Sequence, residues 1–119
     1  MKTLIANNKL DSIISLVDKK TMDIAKIIAE LQLLREQALI EKDPLVVKVI
    51  RLTYEFLKEN DCFNVKAQYE EDEEGNEYPI ELDDKENLLY LLNLLKNAEH
   101  KVNREEIKDY RTSLKLELY

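Results

Sequence analysis

Only a handful of side chains in this sequence could carry covalent chemistry. His100 is the sole histidine and Cys62 the sole cysteine. A Cys–His nucleophile pair needs the two groups within hydrogen-bond reach and a third group to orient the imidazole. Nothing in the residues around either one signals such a pairing. With Gly75 as the only glycine, neither a nucleophile elbow nor a glycine-rich phosphate loop can be built. One histidine and one cysteine also fall short of the ligand sets that hold structural zinc. His100 is therefore expected as a solvent-facing residue at a helix end, and Cys62 as a half-buried thiol. No catalytic residue and no cofactor is expected.

The carboxylates are the exception, because they are concentrated. Between Glu70 and Glu86 there are ten acids and a single base, Lys85, in a chain whose net charge is −7. The rest of the chain holds fifteen acids against seventeen bases, so the acidity belongs to one segment. Such a segment repels nucleic-acid backbones and attracts cations or a basic protein surface. Glu71, Asp72, Glu73 and Glu74 are its densest part and the candidate contacts for a basic partner.

Around Gly75 the acids also have a spacing. With Gly75 sixth in a loop of twelve, Glu70, Asp72, Glu74 and Asn76 stand first, third, fifth and seventh, and Glu81 stands last. These residues resemble an EF-hand calcium loop, in which alternate oxygens ring the ion and the final Glu binds with both of its own. The resemblance implies divalent-cation binding by Glu70, Asp72, Glu74, Asn76 and Glu81. The sequence departs from the pattern at the first position, which is Glu rather than Asp, and at Glu77, where an apolar residue is usual. Pro79 intrudes, and the preceding residues alternate like a strand where an EF-hand needs a helix. The alternative is a solvated hairpin tip whose charges block edge-to-edge aggregation.

The elements that must position these groups are mainly helical. Two prolines and one glycine in 119 residues leave little for the many tight turns of a sheet-rich fold. Leu10, Ile13, Ile14 and Val17 recur at the i, i+3, i+4, i+7 spacing of one helix face, predicting a helix from about Asn8, or from Thr3, to Asp18. Thr21 can cap a second helix, to Lys42, with a stripe from Ile24 to Leu39 and a separate apolar line of Ala29, Leu33 and Ile40. Asp43-Pro44 marks the next boundary, a capping residue followed by the residue favoured at the first helical position. The third helix, Pro44 to Asn60, has an apolar arc of about 220°, so it should be mostly buried.

Phe63, Val65, Ala67 and Tyr69 then alternate with polar residues, as do Tyr78, Ile80 and Leu82, on either side of Gly75-Asn76. This predicts a β-hairpin over 63–82, or else an acidic loop. Asp83 and Glu86 form a capping box for a leucine-rich fourth helix to His100, and Asn103 with Glu106 repeats the device for a fifth. The basic residues of that last helix, among them Arg104, Lys108, Arg111 and Lys115, alternate with acids, as on a solvated face with i,i+4 pairs.

The expected fold is thus a single helical domain over 1–119, a bundle of about five helices with a short hairpin or acidic loop between the third and fourth. The apolar surface of its central helices exceeds what so small a chain needs for its own interior. The expected function is non-enzymatic: protein interaction or regulation, with self-association, as a homodimer for example, through apolar helix faces including Leu33 and Ile40. The alternatives are an acidic charge mimic of the inhibitor or immunity type, binding a basic target through residues 70–86, and weak divalent-cation binding at the loop. A lone cysteine and the absence of a continuous apolar leader place the protein in the cytoplasm. A protein partner is expected, and neither nucleic acid nor membrane.

Overall fold

Apolar spacing and capping residues place five helices along the chain. In the computed structural model, which describes residues 1–119, these are α1 (Leu4–Val17), α2 (Ile24–Ile40), α3 (Pro44–Asn60), α4 (Asp84–Lys96) and α5 (Lys101–Leu118). β1 (Tyr69–Glu71) and β2 (Glu77–Pro79) form an antiparallel hairpin between α3 and α4. The mainly helical class and the inserted hairpin are as the sequence predicts. No helix is long and apolar enough to cross a membrane.

Several boundaries shift, each because a nearer side chain takes the capping role. Thr3 accepts the Ala6 N–H at 3.2 Å, so α1 starts at Leu4, the earlier of the two starts the sequence allows, and not at Asn8. Asp23, not Thr21, accepts the Lys26 N–H and opens α2. The α5 helix starts at Lys101, and Asn103 reaches back from its first turn to donate to the Asn97 carbonyl at 3.1 Å. His100 therefore stands at the N-cap of α5, not at the end of α4.

Asp43 joins three helices. Its N–H donates to the Ala38 carbonyl and the Lys42 N–H to that of Leu39, with Lys42 at φ 58°. That pairing closes α2 in a Schellman motif. The Asp43 carboxylate accepts the Val46 N–H to open α3 and takes two bonds from the Arg104 guanidinium of α5, at 2.9 and 3.1 Å. Paired charges in a planar fork fix geometry as well as adding energy.

The helices close into a ring: α1 packs on α2, α2 on α3, α3 on α5, α5 on α4, and α4 on α1. Their inner faces and the 63–67 segment enclose one core of 28 buried apolar residues. The α3 helix alone buries eight residues, and α4 buries Leu88, Leu91, Leu92, Leu94 and Leu95. The wide apolar arc of α3 and the leucine run of α4 are thus largely absorbed inside the chain, and the surplus foreseen for those two helices is not on the surface.

Residues 63–68 show how a strand-like pattern can mean something else. Phe63, Val65 and Ala67 point into the core as the alternation requires, but the ladder holds only Tyr69↔Pro79, Glu70↔Tyr78 and Glu71↔Glu77. The segment lies on helices instead of on a strand. Phe63 meets Phe56 of α3 edge-on at 5.8 Å and stacks on Tyr110 of α5 at 6.2 Å. Its backbone carbonyls need partners, and Asn87 of α4 supplies them: Nδ2 donates to Phe63 O at 3.0 Å and Val65 O at 2.7 Å. Asn87 Oδ1 in turn accepts the buried Tyr110 hydroxyl at 2.6 Å.

Candidate functional site

The acidic hairpin is held at its base by that polar cluster and is free at its tip. Asp72 makes the turn: Oδ1 accepts the N–H groups of Glu74 and Asn76, both at 2.9 Å, and Oδ2 accepts from the Asn76 side chain at 3.3 Å. Bonding by the Asn76 amide above all keeps the Asp72 carboxyl below the usual range. Gly75 adopts φ +84°, a conformation that glycine reaches without strain. Glu70 accepts the Tyr78 hydroxyl at 3.1 Å across the hairpin.

This geometry is not that of an EF-hand. A strand, not a helix, precedes the loop, and the Asp72 oxygens are engaged by the turn itself. Glu81 lies exposed beyond β2, and no three carboxylates come together as metal ligands. Glu70, Asp72, Glu74, Asn76 and Glu81 are spread along a hairpin and its exit. Glu71, Glu73 and Glu74 are exposed, and no acid from Glu70 to Glu86 forms a salt bridge within the chain.

Leu33 and Ile40 lie on the outer face of α2, 50% and 66% exposed, with Ala29 exposed on the same line. The second apolar line of α2 therefore does not serve a neighbour in the bundle; the stripe of Ile27, Leu31, Leu34 and Ala38 meets the core alone. The surface continues onto α1. Lys9 pairs with Glu30 at 3.1 Å and Thr3 bonds Glu41, so the two helices run antiparallel. Ile5 lies one turn before Lys9, and Leu33 one turn after Glu30, which puts both on one flank. Leu4 and Ile5 are 75% and 65% exposed. Ile5, Leu33 and Ile40 thus share the outer α1/α2 face, Ile5 being one that the sequence patterning left out of any stripe; Leu4 lies about 100° further round α1, on the side of Asp11, which pairs with Lys96 of α4.

The charges of α5 are sorted rather than mixed. Arg104, Arg111 and Lys115 fall on one flank of the helix, and Glu106, Asp109 and Glu117 on the other. Only Lys108–Glu105 pairs within the helix, at 3.3 Å, in place of the expected i,i+4 ladder. On the basic flank a hollow of about 590 Å³ opens against the start of α3, lined by Lys48, Arg111 and Lys115 with Leu45, Leu116 and Tyr119. None of these three cations has a carboxylate partner. On the acidic flank a second hollow of about 560 Å³ lies beneath the hairpin, with Glu77, Glu106 and Asp109 around it. Partial burial, with Glu105 and Glu106 nearby, raises the Asp109 carboxyl above its usual range. Thr112 and Leu116 border both hollows and form the ridge between them.

His100 and Cys62 do not meet. The Asp43–Arg104 pair and the Tyr119–Glu55 hydrogen bond set α3 and α5 side by side in the same direction. His100 precedes α5 at one end and Cys62 follows α3 at the other, separated by about 25 Å of helix. His100 is exposed and Cys62 half-buried.

Sequence reasoning missed Asn87, although its spacing with Leu91, Leu94 and Ala98 puts it on the inward face of α4 and could have marked it. The basic hollow was out of reach, because Lys48 and Arg111 are joined only by the packing of α3 on α5. Compared with known proteins, the chain matches no family model, no curated sequence and no solved structure.

Proposed function

We propose that this is a non-enzymatic interaction protein that self-associates through the outer α1/α2 face. The observation that carries this reading is the shared flank of Ile5, Leu33 and Ile40, left in water while the main stripes of α1 and α2 are buried. Contiguous exposed apolar groups mark interaction surfaces, whereas single ones do not. Burying each of these side chains contributes at most about 1.5–3 kcal/mol, enough across two copies to support a micromolar dimer after the cost of association. The half-buried, unpaired Cys62 suits the cytoplasm, where we place the protein.

Light scattering at micromolar concentration tests the proposal. At about 0.5 M salt, where charge contacts between copies are screened, the wild type should still associate, and Leu33→Ser with Ile40→Ser should give a monomer whose melting temperature is nearly unchanged, since both side chains are already exposed. A wild type that stays monomeric throughout that range would overturn it.

A second reading has its own support. Because no acid from Glu70 to Glu86 is paired internally, the hairpin offers Glu71, Asp72, Glu73 and Glu74 to a basic partner, as an inhibitor or immunity-type charge mimic would. Binding of that kind should weaken steeply with salt. Neutralising these four residues together should abolish it and leave apolar docking intact.

A further inference from the structure

We infer that two copies of this chain also meet ridge to ridge along α5, each setting its acidic hairpin flank on the Lys48–Arg111–Lys115 hollow of the other. The contact is separate from the α1/α2 face and does not depend on it. Two charged surfaces of opposite sign lie on either side of one helix, and neither is neutralised within the chain. The acidic one carries Glu77, Glu106 and Asp109 with the hairpin acids above them; the basic one carries three cations. Between them Leu116 stands 78% exposed, an apolar ridge bordering both hollows.

Symmetry selects the arrangement. A closed homodimer uses a two-fold axis and the same patch on both copies. If the axis ran across α5, the acidic flank of one copy would face the acidic flank of the other. If it runs along α5, left and right exchange, and each acidic flank faces a basic one. The two α5 helices then lie parallel, with Leu116 of each copy beside the axis and two equivalent charge contacts outside it. Complementary potentials of this kind fix register and exclude the mismatched orientation.

A charge exchange tests this, in a Leu33→Ser, Ile40→Ser background that silences the apolar face. One variant carries Lys48→Glu, Arg111→Glu and Lys115→Glu; the other carries Glu71→Lys, Glu73→Lys, Glu74→Lys and Glu77→Lys. All these positions are exposed or half-buried, and circular dichroism melts confirm that each variant folds. Sedimentation velocity at about 50 mM salt, where surface charges are weakly screened, should show the background protein as a dimer. Each variant alone should be monomeric, and their equimolar mixture should form a one-to-one heterodimer, because one contact is then native and the other is restored with its signs reversed.

Leu116→Cys, with Cys62→Ser, should give a covalent dimer on mild oxidation. A monomeric background protein, variants that still dimerise alone, or a mixture that remains monomeric would each overturn the inference. So would Leu116→Cys that fails to cross-link. Failure here with α1/α2 association intact in the wild type would sink this contact alone.

Discussion

Asn87→Leu should be among the most destabilising substitutions in this protein, and its partner Tyr110 shows why. Asn87 is 4% exposed and the only side chain joining α4, α5 and the 63–67 segment by hydrogen bonds. Leucine fills similar space but strands two buried groups, the Phe63 and Val65 carbonyls, and leaves the Tyr110 hydroxyl only its longer bond to the residue 87 backbone carbonyl at 3.4 Å. At about 1–3 kcal/mol for each buried group left unpaired, with some relaxation, the loss is about 2–4 kcal/mol. That is a large share of the about 5–15 kcal/mol that holds a small domain folded.

Tyr110→Phe supplies the internal control. In the wild type it strands only Asn87 Oδ1 and should cost about 1–2 kcal/mol; in Asn87→Leu it removes a hydroxyl left with only the long bond to the residue 87 carbonyl and should be nearly neutral. Urea unfolding of the four proteins, with m-values compared, measures the cycle. A loss below about 1 kcal/mol for Asn87→Leu, or an identical effect of Tyr110→Phe in both backgrounds, would refute the reasoning.

Two further outcomes follow from the same structure. Bonding by the Arg104 guanidinium, above all, holds the Asp43 carboxyl below the ordinary carboxylate range. A carboxyl depressed on folding adds stability above its unfolded pKa and loses it as pH falls through the folded one. Asp43→Asn should cost about 1–2 kcal/mol at pH 7 and flatten the acid limb below about pH 4, as read from unfolding free energies across pH. Gly75→Ala should strain the turn by about 1 kcal/mol, because φ is +84° while the added Cβ meets only the Glu71 side chain at 3.8 Å. Amide exchange at Glu70, Asp72 and Tyr78, whose N–H groups face the ladder, should accelerate, with the global melting temperature unmoved; a drop of several degrees would show the hairpin to be coupled to the core.

Helix identities were legible because each rests on neighbours in sequence: the spacing of Leu10, Ile13 and Val17, the Asp43-Pro44 boundary, the Asp83 cap. Helix starts were less so where two capping residues stand close together, as Thr21 and Asp23 do, because the choice depends on which side chain the approaching chain aligns with the first turn. The 63–68 alternation was read correctly as one buried side and wrongly as a ladder, since period-two burial is the same whether the cover is a strand or a helix. Of the surface features, the line of Leu33 and Ile40 was visible as an apolar line, but its outward direction depends on which stripe the core takes. The sorting of charges on α5 was hidden by their alternation along the chain. Lys48 joins Arg111 only through a contact between helices 63 positions apart.

The left-handed residues at the ends of α2 and α3 have a consequence for how the protein responds to change. Lys42 and Asp61 take φ values of 58° and 55°, where a Cβ is crowded. Glycine at either place would relieve that crowding in the folded chain and also loosen the denatured one, and the two effects oppose each other. With a single glycine throughout, the denatured ensemble starts out stiff. Part of this fold's resistance to unfolding therefore resides in what the disordered chain is unable to explore.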